Sequence, residues 1–292
     1  MMKQYFFISL AIFQFSCTSQ QKLNNSIEPQ PNKMAWIEEI VHPSIVWKRH
    51  HFKNIFNAKQ YINVLDIDLN DTLIKVDIGF QKPTLLTTHE IAEREKAVVA
   101  INGNFFHTEE GGSVCFFKKD ENIIDSSRTD LTERLFLTWL DDAAIAFTRE
   151  RRVIIVNEPI EGWLGIDSLP TIFTGGPSLI QNGTEVKQAV HSFNNNRYSR
   201  TGAGLTNDGH LILVVVDGNS TESAGMSIKE FAQLFKSLKC TIAFNLDGGG
   251  SSTMWIKGQP DNGSRHHYPA DNKKFDHYGE RKVANALLIK LK

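Results

Sequence analysis

Asn245-Leu246-Asp247-Gly248-Gly249-Gly250-Ser251-Ser252-Thr253-Met254 joins the end of an apolar run, Thr241 to Leu246, to three glycines and a polar cluster. The run reads as a buried strand, so Asp247 stands at a strand's end. Glycine loses more backbone entropy on ordering than any other residue, and three together bury no side chain in return. The bare backbone must therefore serve a purpose. Successive glycine N–H groups can converge as an anion-binding nest beside the Asp247 carboxylate and the Ser251 and Ser252 hydroxyls. The alternative is a tight turn at a close backbone crossing.

Three other apolar runs end the same way, in polar residues and glycine. They are Ile101-Asn102-Gly103-Asn104, Thr174-Gly175-Gly176-Pro177-Ser178 and Val215-Val216-Asp217-Gly218-Asn219. If these strands share one sheet with their ends together, the loops line a single crevice. Asp217 and Asp247 would then be a carboxylate pair able to divide acid and base duties. Taken singly, each is an Asp-Gly turn. Arg200 precedes a strand and could grip a phosphate through two parallel hydrogen bonds. Arg197 is an equal candidate on spacing alone. A carboxylate next to an anion nest repels a phosphate unless Asp247 is protonated, an arginine balances it, or a divalent cation such as Ca²⁺ or Mg²⁺ bridges them. Asn102, Asn104 and Asp217 could supply oxygen ligands to that cation, although nothing in the sequence requires a cofactor. The paired histidines His50-His51 and His266-His267 have no zinc-type spacing. His107 and His191 remain possible substrate contacts. Ser251-Ser252 lacks the Gly-x-Ser-x-Gly elbow of a serine nucleophile.

The local signals describe a single α+β domain with a mixed or antiparallel sheet and flanking helices. Hairpins are expected at Tyr61 to Asp68 with Leu73 to Gly79, and at Leu135 to Leu140 with Ala143 to Phe147. Two more join Ser178–Ile180 to Thr184–Val186 through Asn182-Gly183, and Gly202–Thr206 to His210–Val216 through Asn207-Asp208-Gly209. Ser227-Ile228-Lys229-Glu230 is a capping box that opens an amphipathic helix to Lys239. A second helix is expected from Thr88 to Lys96, feeding a strand over Ala97 to Ile101.

The 292 residues are 41% hydrophobic and 22% charged with a net charge of -1, an ordinary globular balance with no electrostatic footprint for nucleic acid. Lys3 and the apolar Tyr5 to Phe13 have the length of a signal-peptide core, too short to span a bilayer. Cys17 follows Phe15-Ser16 as in a bacterial lipoprotein cleavage site, although Gln14 departs from the aliphatic residue usual there. The expected organisation is a signal segment over 1–17 with lipidation at Cys17, a polar tether over 18–35, and one domain over 36–292. That implies an exported protein held in the cell envelope by a lipid anchor. Cys115 and Cys240 could pair in an oxidising compartment or stay as small buried apolar groups.

The ordered series Ala100-Ile101-Asn102-Gly103-Asn104-Phe105-Phe106, Gly175-Gly176-Pro177-Ser178-Leu179, Arg200-Thr201-Gly202-Ala203-Gly204, Val215-Val216-Asp217-Gly218 and Asn245 to Ser252 resembles the phosphodiester glycosidase family. Gly279 to Ile289 looks like its final strand, and the resemblance covers roughly Ala97 to Leu291. It implies a hydrolase that cuts between a sugar's anomeric carbon and a phosphate oxygen. Carried over by residue, the implied site is Asp247 and Asp217 as catalytic groups, with Asn102, Arg200, Gly248, Gly249, Ser251, Arg281 and Asn285 binding the substrate. Asn104 replaces a usual second glycine and Tyr198-Ser199 differs before Arg200, so substrate choice is the property these departures touch. Two rival readings use the same residues: a non-catalytic module that binds anionic glycans, and a metal-dependent phosphodiesterase that breaks the P–O bond.

Overall fold

The computed structural model describes residues 36–126, 138–259, 268–269 and 271–292. The signal segment, Cys17, the tether, residues 127–137 and the His266-His267 pair lie outside them. No helix among the described residues is long and apolar enough to cross a membrane.

Three sheets close around one core. The first has eight strands in the order Ile37–His42, Ile45–Ile55, Ala58–Asp68, His210–Val216, Arg200–Thr206, Cys240–Asn245, Ser178–Gln181 and Thr184–Glu185. Facing it are a four-stranded sheet (Met254–Ile256, Val99–Asn102, Asn285–Leu291, Ile74–Phe80) and a five-stranded one (Val153–Asn157, Ala143–Phe147, Thr171–Gly175, Phe117–Lys119, Asn122–Asp125). Leu213 and Val215, Ile101 and Leu287, and Ile145 and Phe173 bring all three onto the same buried cluster. Neighbouring strands within each sheet run antiparallel.

His210–Val216 is buried on both faces, which explains its unbroken apolar sequence. Leu211, Leu213 and Val215 point into the central core, while Ile212, Val214 and Val216 meet a second cluster under helix α3, Ile228–Ser237. Ser227 and Glu230 form the expected capping box. Helix α1, Thr88–Arg94, carries a capping box of its own from Thr87 and Glu90, and Ile91 and Ala92 cover the outer face of the four-stranded sheet. A one-turn helix α2, Ser192–Asn195, precedes the strand that begins at Arg200.

Two expected hairpins form, Ser178–Gln181 with Thr184–Glu185 and Arg200–Thr206 with His210–Val216. A third does not. Ala58–Asp68 and Ile74–Phe80 belong to different sheets, so the turn between them carries the chain across the sandwich. Asp71 fixes that crossing by accepting from the Ser44 hydroxyl at 2.5 Å and the Leu73 N–H at 2.9 Å. Likewise Thr138–Leu140 is a 3₁₀ turn, and Ala143–Phe147 pairs instead with Val153–Asn157 and Thr171–Gly175. Cys115 and Cys240 are both free thiols, buried in separate places.

Gly202 and Gly204 let the aromatic side of α3 approach the sheet. A Cβ on Gly202 would lie 2.8 Å from Phe231 and 2.8 Å from the Phe244 carbonyl oxygen. Gly202→Ala is therefore expected to destabilise the fold by ~1–3 kcal/mol, the usual cost of overpacking. Urea denaturation checks this, and an unchanged midpoint would contradict the packing described.

Candidate functional site

The polar strand ends do converge, but from three sheets rather than one. Within the eight-stranded sheet, Arg200 pairs with Val216 and Gly202 with Asn245, so the Asp217 and Asp247 ends flank the start of the Arg200 strand. Asn102 arrives from the four-stranded sheet. Its Nδ2 donates to the Asp247 carbonyl at 2.8 Å, and its Oδ1 accepts from the Thr201 hydroxyl at 2.7 Å and the Thr253 N–H at 3.0 Å. Gly175 arrives from the five-stranded sheet, where Asn245 Nδ2 donates to the Gly176 carbonyl at 2.8 Å.

The glycine run departs from a nest of convergent N–H groups. Gly248 N–H donates to the Asp247 carboxylate at 2.8 Å, and Gly249 N–H donates to the Ser199 carbonyl at 2.9 Å. Each glycine answers a separate constraint. A Cβ on Gly248 would lie 2.7 Å from the Ser199 oxygen, and Gly249 has φ +60, a left-handed conformation. A Cβ on Gly250 would strike the side chains of Asp271 and Arg281. The close-crossing reading therefore describes this loop better than the anion nest does. Gly218 and Gly225 also pack against the backbone of Tyr198 and Ser199, so glycine surrounds this segment.

Asn102 and Asn285 are not free to bind a ligand. Asn102 is fully buried with its amide used as above, and Asn285 exchanges hydrogen bonds with Asn104 at 2.9 and 2.7 Å. Asn104 in turn donates to the Thr174 carbonyl at 3.0 Å and accepts from Ser113 at 2.9 Å, which ties two sheets together. These asparagines position the site. Nothing in the motif spacing distinguishes that role from ligand contact.

Arg200 differs from Arg197 by burial. Arg197 forms a two-pronged ion pair with Glu230. Arg200 is 0% exposed and donates to three carbonyls, those of Met226 (2.8 Å), Phe193 (2.6 Å) and Asn196 (3.1 Å). Its guanidinium also lies over the rings of Phe193 and Tyr198. Among the described residues no carboxylate pairs with it, and Nη1 has no hydrogen-bond partner. Burial pulls its pKa down to about 10, so it remains a cation at neutral pH. The Glu230 carboxylate acts on it from beyond contact distance, and a buried ion without a close counter-charge costs several kcal/mol.

Asp247 keeps part of its side chain open to solvent. Burial raises its carboxyl to about 6, against the lowering influence of the Ser251 hydroxyl, the Gly248 N–H and the Arg281 charge. Ser251 lies close to the carboxylate but makes no hydrogen bond of good geometry. Arg281 sits at the same place, ion-paired to Asp271.

Asp217 does not form a pair with Asp247, and neither carboxyl is among the groups that shift the other. Asp217 is buried beside Tyr61 and Tyr268, accepts from the Tyr268 N–H at 3.0 Å, and leaves Oδ1 without a partner. Burial raises it well above the carboxylate range. Side-chain atoms without partners gather in this region: Ser199 Oγ, Arg200 Nη1, Asn245 Oδ1, Ser251 Oγ, Ser252 Oγ and Thr253 Oγ1. Buried polar atoms are normally satisfied, so these leave unused hydrogen-bonding capacity in an interior closed to solvent.

Among the described residues no three His, Cys, Asp or Glu side chains converge to hold a metal ion, and of the oxygens expected to bridge a cation those of Asn102 and Asn104 already accept two hydrogen bonds each. His191 caps α2 through the Phe193 N–H at 3.2 Å, and its ring lies against Trp139. A separate cleft of ≈ 960 Å³ opens at the far end of the Arg200 strand, and its cations are largely paired, as Arg149 is with Glu121 and Lys119 with Asp77.

The sequence pattern of the phosphodiester glycosidase family matches residues 95–290. N-acetylglucosamine-1-phosphodiester alpha-N-acetylglucosaminidase of Bos taurus is 29% identical over 206 residues, 64% of this chain and 35% of that protein. The SPbeta prophage-derived protein YomE of Bacillus subtilis is 26% identical over 59% of this chain and 26% of its own length. The chain thus spans about a third or less of these relatives. Among solved structures, the catalytic domain of the zebrafish N-acetylglucosaminidase, auto-inhibited by its pro-peptide, superposes with a TM-score of 0.66 at 20% identity, covering 87% of this chain and 86% of that one. A hypothetical protein from Synechocystis reaches the same TM-score at 16% identity, over 89% and 64% of the two chains.

The raised carboxyls predict a pH dependence of stability. An acid whose folded pKa is raised stabilises the fold below its unfolded pKa, and that contribution is lost as pH rises through the folded value. The stability these carboxyls contribute should therefore fall as pH climbs from about 4 past 6, where Asp247 ionises, with Asp142, raised by burial to about 7, and Asp217 extending the loss upward. Asp217→Asn should flatten the decline in urea midpoint. A variant with the slope of the parent would mean that Asp217 is already charged in the fold.

Proposed function

The chain belongs to the phosphodiester glycosidase family, and from that premise we propose that it hydrolyses sugar-1-phosphodiesters to free sugar and a phosphomonoester. The observation that carries the reading is Arg200, a buried guanidinium with no acidic partner among the described residues. A phosphodiester would bring a close negative charge to Nη1, the one guanidinium nitrogen that is not already donating.

In this mechanism Arg200 holds the phosphate and Arg281 adds positive charge near Asp247. Asp247 acts as a carboxylate on the anomeric carbon's side, as nucleophile or as base towards water. The C1–O bond to phosphate breaks, its electron pair leaves with the phosphomonoester, and water's oxygen ends on C1. A phosphate is already a good leaving group, so the reaction does not depend on a second carboxyl as acid. That agrees with Asp217 lying apart. Asn102 and Asn285 fix the backbone that carries Asp247. The family relationship favours this reading over a glycan-binding module and over a metal-dependent phosphodiesterase, and the unpaired Nη1 of Arg200 is in keeping with an anionic substrate.

We propose in addition that the protein is exported and anchored through Cys17, with residues 18–35 as the tether. The support for this is the N-terminal sequence alone.

Hydrolysis of a sugar-1-phosphodiester in oxygen-18 water should place the label in the sugar. Label in the phosphate would mean P–O cleavage, and binding without turnover would mean a module. Asp247→Asn should lower kcat by at least about a hundredfold while the protein keeps its fold. Parental activity should climb with pH up to about 6 and then level, following ionisation of Asp247. It should also survive exhaustive chelation; a loss restored by Ca²⁺ or Mg²⁺ would overturn the metal-free mechanism.

A further inference from the structure

Asp217 is a buried acid to which the proposed reaction gives no task. It is 1% exposed, and a carboxyl in such a place is costly unless it is hydrogen-bonded. Its main chain is fixed by strand neighbours: its N–H donates to the Tyr61 carbonyl at 3.0 Å, and its carbonyl accepts from the Ser223 hydroxyl at 2.6 Å. The side chain reaches elsewhere. Oδ2 accepts from the N–H of Tyr268, at 3.0 Å and 51 residues along the chain.

Tyr268 opens an excursion whose other end lies against the Asp247 loop. Its ring meets Tyr61 edge-on at 5.0 Å, stacks on Phe275 at 3.8 Å and lies 4.3 Å from His277. A Cβ on Gly279 would lie 2.5 Å from the Pro269 carbonyl oxygen, and the Asp271 N–H donates to the Gly279 carbonyl at 3.3 Å. The returning limb therefore packs directly on the start of the excursion. Asp271 Oδ1 accepts from Arg281 Nε at 3.0 Å and Nη2 at 2.5 Å. This pair seats itself over Gly250, where a Cβ would strike both side chains, and the Arg281 charge acts on Asp247.

We infer that Asp217 is a positioning residue for the reaction, acting through Arg281: by holding the Tyr268 N–H it seats residues 271–281 and so sets where the Arg281 guanidinium stands beside Asp247. The inference rests on the hydrolase reading above for the part that Arg281 plays. Glu280 accepts from the His89 N–H at 2.9 Å, which fixes the backbone at the end of the excursion. The direction of the Arg281 side chain depends instead on Asp271, whose place depends on the folded excursion. Tyr61, Tyr268, Phe275 and His277 are only partly buried, so their stack stiffens the segment while the buried Asp217 bond ties it to the sheet. Coupling of this kind travels through packed side chains and hydrogen bonds. It asks Asp217 for an acceptor and not for a proton.

The test uses the full chain and the methyl diester of N-acetylglucosamine 1-phosphate. Asp217→Ala should lower kcat/KM roughly tenfold, chiefly through a higher KM, and Asp217→Asn, which keeps an acceptor for Tyr268, should retain most of the parent's value. In an Arg281→Met background the same Asp217→Ala change should cost less than about twofold further, because the group it positions is gone. If Asp217→Ala does not fold, Tyr268→Ala takes its place and should raise KM in the same way, again only while Arg281 is present. A loss in Asp217→Asn as deep as in Asp217→Ala would make Asp217 a proton donor, and an undiminished cost over Arg281→Met would mean that it acts elsewhere; either result overturns the inference. Should the parent cleave no diester, the hydrolase reading fails, and hydrogen exchange over residues 271–281 judges the seating separately. Exchange at least about fivefold faster in Asp217→Ala than in both the parent and Asp217→Asn supports it. Equal exchange in all three rejects it.

Discussion

Asn102 is where the structure is tied together. Its single amide binds the Asp247 carbonyl, the Thr201 hydroxyl and the Thr253 N–H, so three segments from two sheets meet at one buried side chain. Asn104 and Asn285 add the third sheet through Thr174. An amide has donors and acceptors in fixed directions, and a buried one left half-satisfied costs about 1–3 kcal/mol. The junction therefore tolerates little slippage, and the loops that carry Asp247 and Ser251 inherit that rigidity. Positioned groups of this kind are what a catalytic constellation requires.

Against that rigid frame the charges are arranged unequally. Arg197 has its carboxylate and Arg200 does not. Asp247 feels the Arg281 charge while burial raises its carboxyl to about 6, whereas Asp217 lies beside Tyr61 and Tyr268 and burial pushes its carboxyl well above its ordinary value. A symmetrical pair of aspartates would suit ordinary glycoside cleavage. In the proposed reaction a single carboxylate suffices, because the leaving group is an anion already.

The elements legible in the sequence are those with local causes. Asn207-Asp208-Gly209 and Asn182-Gly183 set their hairpins, and the Ser227–Glu230 box starts α3. The family's five motifs are legible too, and the strand ends they mark come together from three sheets. Strand partners were less so, because pairing depends on contacts distant in sequence: Ala58–Asp68 and Ile74–Phe80 look like a hairpin and lie in opposing sheets. Burial separates Arg200 from Arg197, and no spacing encodes it. The three glycines invited one explanation and have three, since a close crossing, a positive φ and a seated ion pair leave the same trace in a sequence.

The central claim is that Arg200 is an unpaired buried cation completed by a phosphate ester. Thermal unfolding of the parent and of Arg200→Met, each titrated with a phosphomonoester, tests it most directly. A ligand that binds only the folded state raises Tm with its concentration. The account predicts a rise in the parent that is absent in Arg200→Met, with the variant at least as stable as the parent when no ester is present. An equal rise in both proteins would contradict it.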